Sequence, residues 1–142
     1  MNRRQHVGIL LGIILLFTGC SYTHQQSQEF LKLAKGPTGV ATALNLIEMM
    51  ETSVQQAKIE SGKSPGLTAL HDQFHALRHS LCEATDAQIN TTTYDKAVTI
   101  NKEMKAVFHR LWDYKDDPAR RALHLDLFDN RLKELKQALH AI

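Results

Sequence analysis

From residue 40 to the C-terminus, apolar residues recur at alternating spacings of three and four, the rhythm that keeps one face of an α-helix turned toward a partner. Four such segments separate cleanly. Val40, Ala43, Ile47, Met50, Val54 and Ala57 form the first seam, and Gly62 supplies its stop. Ser64-Pro65 opens the second, with a serine suited to capping free amides and a proline suited to the first helical position. Leu67, Leu70, Phe74, Leu77, Leu81 and Ala84 carry that seam onward. Asn90-Thr91-Thr92-Thr93 interrupts it, because β-branched threonines are poor helix formers, while Thr92 and Asp95 can cap a new start. The third seam is Tyr94, Ala97, Met104, Phe108 and Leu111, widened by Val98, Ile100, Val107 and Trp112. Asp116-Asp117-Pro118 gives a stop and a fresh N-terminus, and Leu125, Phe128, Leu132, Leu135, Leu139 and Ile142 complete the fourth seam. Arg121 falls one step before it in the same register.

Four amphipathic helices of about 20 residues with short connections alternate in direction, and burying their seams together makes an antiparallel up-down four-helix bundle. The expected fold class is therefore all-α, with the bundle over residues 38–142. A coiled-coil oligomer is the alternative, but turn signals at regular intervals favour packing within one chain. Gly36-Pro37-Thr38-Gly39 breaks whatever precedes the bundle. Residues 20–37 read as a polar tether that includes a short amphipathic turn at 29–35.

The N-terminus has a different pattern. Arg3 and Arg4 precede an apolar stretch over residues 7–17, which is shorter than the roughly 20 residues a membrane-spanning helix needs. Phe17-Thr18-Gly19-Cys20 follows directly. This leader and box resemble those of prokaryotic membrane lipoproteins, with Phe17 standing where the family usually has Leu. The resemblance covers about 25 residues and implies a signal peptide, residues 1–19, cleaved after Gly19. It also implies diacylglycerol on the Cys20 thiol and a further acyl chain such as palmitate on its amine. Two or three chains hold lastingly, because each buried methylene contributes about 0.8 kcal/mol. The chain is then expected in the cell envelope, lipid-anchored, with its domain in the periplasm. Ser21 resembles the outer-membrane sorting pattern rather than inner-membrane retention.

Without its first 19 residues, the 142-residue chain keeps 123, enough for one domain with a modest core. Of 17 basic residues Arg3 and Arg4 go with the leader, leaving 15 against 15 acids. The net charge of +2 thus belongs to the precursor, and the interspersed charges give no stripe for nucleic acid. With Cys20 committed to lipid, Cys82 has no partner within the chain and no internal disulfide is expected.

One constellation carries candidate chemistry. His71, His75, His79 and Cys82 are spaced four, four and three along the second helix. At 100° per residue, His71, Cys82 and His75 fall within about 40° of one another, with His79 about 40° further round. Imidazole and thiolate donors on one flank suit Zn, Ni or Cu. Leu70-His71-Asp72-Gln73-Phe74-His75 is also similar, over one and a half turns, to segments of helical periplasmic metal sensors. His109, at about the height of His75 on the third helix, is a candidate to complete the shell in place of His79. The competing reading is ordinary boundary and surface histidines. His124 lies near the fourth core face, and His140 points outward near the chain end.

Other chemistry lacks its motifs. There is no Cys-x-x-Cys-His for c-type haem and no Glu-x-x-His pair for a di-iron site, Asp72-x-x-His75 being a near miss. Met50 and His140 do not fit the ligand positions of four-helix b-type cytochromes. No nucleophile-elbow glycine pattern or phosphate-cradling loop occurs, so an enzyme is not expected and no cofactor is assigned. Two functions remain. The first is a lipid-anchored envelope protein whose helical domain acts as an interaction or accessory module for an envelope protein partner. The second is a periplasmic metal-binding or metal-sensing bundle built on the His/Cys cluster.

Overall fold

The computed structural model describes residues 25–83 and 91–142. The leader, Cys20, Ala84 and Asn90 lie outside the described residues. Within them the protein is all-helical, with α1 Gln25–Leu33, α2 Gly39–Ile59, α3 Pro65–Glu83, α4 Thr91–Asp113 and α5 Pro118–His140. None of these is long and apolar enough to cross a membrane.

Several helix ends have a local cause. Thr38 caps α2 by accepting from the Ala41 amide at 3.0 Å, and Asp117 caps α5 by accepting from the Arg120 amide at 3.1 Å. Pro118 then occupies the first turn of α5, where a missing amide hydrogen costs nothing. Ser64 Oγ receives the Leu67 amide at 3.3 Å and starts α3. Gly62, at φ +62°, makes the turn between α2 and α3 in the left-handed region open to glycine. The expected start of α4 shifts slightly, since the helix begins at Thr91 and Thr92 lies inside it.

The seams bury most of their residues, with Val40, Tyr94 and Ile142 only partly covered. Met50, Leu70, Leu77, Met104 and Leu132 are wholly inaccessible, and they join Leu46, Ile47, Leu67, Leu111, Leu125, Phe128 and Leu135 in one core. A fully buried side chain of this size contributes about 1.5–3 kcal/mol. The closest helix pairings are α2 with α3 and α4 with α5, and α2 also packs on α5. The backbones of α3 and α4 stay further apart. Aromatic side chains span that seam: Phe74 and Phe108 have ring centroids 5.6 Å apart, and Phe128 meets them edge-on at 5.5 and 5.7 Å.

Helix α1 begins earlier than the amphipathic turn expected from sequence and packs against α3. Ser27 is fully buried and Ala34, just past the end of the helix, nearly so. Asn45 Nδ2 donates to the Ala34 carbonyl at 2.9 Å, and Thr42 Oγ1 receives the Gly36 amide at 3.0 Å. The segment between α1 and α2 is therefore stitched to the first turns of α2. With α1 on one side and the core on the other, α3 buries Asp72, Gln73 and Ser80 as well as its apolar seam.

Candidate functional site

The half-open seam between α3 and α4 holds the site. His71 lies at its edge with a side chain 27% exposed, its ring 5.0 Å from Trp112 and 5.7 Å from Phe108. Both neighbours come from α4, so the imidazole is walled by aromatic faces and keeps one side open to water. Asp72 is buried, and its Oδ1 lies 2.9 Å from His71 Nδ1. An ionised carboxylate only accepts, so Nδ1 carries the proton and a neutral His71 presents a lone pair at Nε2.

That lone pair meets a second imidazole. His75 Nε2 lies 3.3 Å from His71 Nε2, with ring centroids 4.6 Å apart and planes 75° inclined. Given the tautomer set by Asp72, His75 donates and His71 accepts. Two nitrogen donors one helical turn apart thus face each other from a ligand-ready arrangement, with a carboxylate behind one of them.

The remaining candidate donors do not close in. Among the described residues, no three His, Cys, Asp or Glu side chains form a group able to hold a metal. The angular reading of the helix left out its rise: at about 1.5 Å per residue, His79 lies about 12 Å and Cys82 about 16 Å along the axis from His71. One ion reaches donors on adjacent turns only. Moreover, Cys82 is disulfide-bonded, and none of the described cysteines is free. A bonded sulfur leaves Cys82 no thiolate to offer a metal. The chain's other cysteine, Cys20, lies outside the described residues.

His109 is exposed on α4, and His140 is exposed near the chain end. His124 is buried and donates from Nδ1 to the Arg120 carbonyl at 2.7 Å, the hydrogen-bonded boundary role expected of it. Sequence reasoning noted Asp72 only for its spacing to His75; its bond to the adjacent His71 was the informative relationship. The aromatic walls were missed because they depend on the register of α4 against α3.

A second polar cluster joins α2 to α5. Lys58 Nζ lies 3.0 Å from both Asp126 and Asp129, and Lys133 reaches Asp129 at 3.1 Å. Burial pushes the Asp129 carboxyl upward, but the bonds from Lys58 and Lys133 outweigh it and hold the group below its ordinary value. Lys58 is raised, chiefly by its bond to Asp126 and, against the cost of burial, by Asp129 as well. This cluster uses its charges on one another and reads as a fastening between helices.

Compared with known proteins, the chain matches no family model, no curated protein and no solved structure.

Proposed function

We infer that the protein is a lipid-anchored component of a bacterial cell envelope whose helical body acts as an interaction or accessory module. The observation that carries the anchor is the Phe17-Thr18-Gly19-Cys20 box behind a basic and then apolar leader. In this reading Cys20 is the first residue of the mature chain and holds it to the membrane, outer rather than inner. Residues of α2 to α5 then form an up-down four-helix bundle on the periplasmic side. Support for a binding role comes from α5, where Leu123 and Leu127 are 56% and 43% exposed and lie one turn apart. Residues 38–142 make up the working module, which acts by surface contact rather than by catalysis.

Acylation uses the Cys20 sulfur as a thiolate, so the acylated chain and a chain whose two cysteines are bonded to each other are separate species. Intact mass of the protein from the membrane fraction separates them. The expected mass lacks residues 1–19 and carries diacylglycerol with a further acyl chain. A full-length, unacylated chain lighter by two hydrogens would overturn the anchor. For the module, crosslinking through the lipid-anchored protein should recover an envelope protein partner, with recovery lost in Leu123→Asp/Leu127→Asp. Recovery of lipid alone counts against it.

A further inference from the structure

We propose that His71 and His75 form a two-nitrogen site for one tetrahedral divalent cation, Zn2+ by ligand type and geometry, with Asp72 as the carboxylate that orients His71. The inference stands apart from the anchoring reading and does not depend on it.

The spacing of the two nitrogens carries the argument. With Zn–N bonds of about 2.0–2.1 Å and a tetrahedral angle, two ligating nitrogens are separated by about 3.3–3.4 Å. The observed separation is 3.3 Å. The pair as it stands is thus compatible with two nitrogens on one tetrahedral ion, the geometry that imidazole ligands give Zn2+. Each lone pair need only turn by about 35° from the line joining the nitrogens to point at a shared ion. For His75 the ring proton moves to Nδ1, a change of tautomer that leaves the charge of the imidazole unchanged.

Asp72 supplies what such sites need beyond their ligands. A ligating histidine almost always donates its other ring N–H to a carboxylate or carbonyl, which fixes the tautomer and raises the basicity of the ligating nitrogen. The 2.9 Å contact between His71 Nδ1 and the buried Asp72 is that arrangement. Phe108 and Trp112 restrict the swing of the His71 ring, so little side-chain freedom is lost on binding. The partial exposure of His71 gives the ion a path in, and water fills the positions that the protein does not.

The chain contains one tryptophan, Trp112, and its ring lies 5.0 Å from that of His71. A paramagnetic ion held at His71 therefore sits close enough to quench its fluorescence. The test is titration of the full chain in detergent with Cu2+, followed by competition with Zn2+. Expected is saturable quenching at one ion per chain in the micromolar range, reversed by Zn2+, with Co2+ giving the intense visible absorption of a tetrahedral complex. His75→Ala should abolish quenching while the far-ultraviolet circular dichroism stays unchanged, and His140→Ala should leave it intact. Asp72→Ala should weaken binding 10- to 100-fold, and Asp72→Asn, which still accepts from Nδ1, should restore much of that loss. Quenching that is absent, fails to saturate or survives in His75→Ala would leave a simple histidine–histidine hydrogen bond and overturn the site. Octahedral Co2+ spectra would overturn the tetrahedral assignment.

Discussion

Arg121 reaches from the first turns of α5 to the last turn of α2, where its Nη1 donates to the carbonyl of Ala57, a residue 64 positions earlier. The same nitrogen donates to the Glu60 carbonyl at 2.8 Å, and Nη2 reaches Ser64 Oγ at 3.3 Å. The final carbonyls of a helix have no partner within it, and they carry the negative end of its dipole. A buried guanidinium is a matched answer to both. Replacing it with Met keeps much of the apolar volume but leaves buried carbonyls unpaired. Arg121→Met should therefore destabilise the protein by about 2–4 kcal/mol in urea denaturation, with Arg121→Lys recovering only part because it lacks the planar fork. A loss under about 0.5 kcal/mol would show that water takes over the bonds.

Acid should loosen the fastening between α2 and α5. Asp129 has its native pKa lowered by Lys58 and Lys133, so it contributes stability above its unfolded pKa of about 3.9 and loses it as pH falls through the native value. Thermal unfolding of the wild type and of Asp129→Asn from pH 7 to pH 3 checks this. The variant should melt lower at pH 7, and the difference should begin to shrink only below about pH 4, closing as pH falls through the lowered native value. A difference that stays constant across the range would assign the loss to packing.

Gly66 should resist even a methyl group. A Cβ there would lie 2.8 Å from the backbone nitrogen of Ala57 and 2.8 Å from Glu60 Oε2, which receives the Gly66 amide. Glu60 can swing away, but the backbone of α2 cannot. Although alanine is the better helix former, Gly66→Ala should cost about 1–3 kcal/mol by driving α3 off α2. Equal or higher stability in the variant would mean that the two helices slide apart freely.

Phe128 bridges both halves of the core, edge-on to Phe74 of α3 and Phe108 of α4. Its removal empties the aromatic wedge that joins helices whose backbones stand apart. Phe128→Ala should cost about 3–5 kcal/mol and shift the emission of Trp112, which stacks beside Phe108 at 6.1 Å. An unchanged emission would show that the wedge is not mechanically continuous.

The long seams were legible because hydrophobic period reports burial directly, and Arg121 could be placed on the core face by register alone. The docking of α1 was not, since Ser27 and Ala34, both buried, are small and carry little apolar signal. The same contact explains why Asp72, Gln73 and Ser80 are buried on a helix that reads as one-sided. At the candidate site, angular position alone grouped four donors, whereas the rise of the helix brings only His71 and His75 together, at 3.3 Å. What orients His71 lies in the neighbouring Asp72 and in the α4 aromatics, and the latter depend on tertiary register.

Were Cys20 to carry the proposed lipid, the early start of α1 would also set how far the folded body can stand from it. Between that residue and Gln25, where the helix docked on α3 begins, the chain spans at most about 18 Å fully extended. That is about two to three times the headgroup layer on one side of a bilayer, which is about 5–8 Å deep. In the proposed anchored form, the start of the body would stay within about 10–13 Å of the headgroup surface, where partners embedded in or lying on the membrane are in reach.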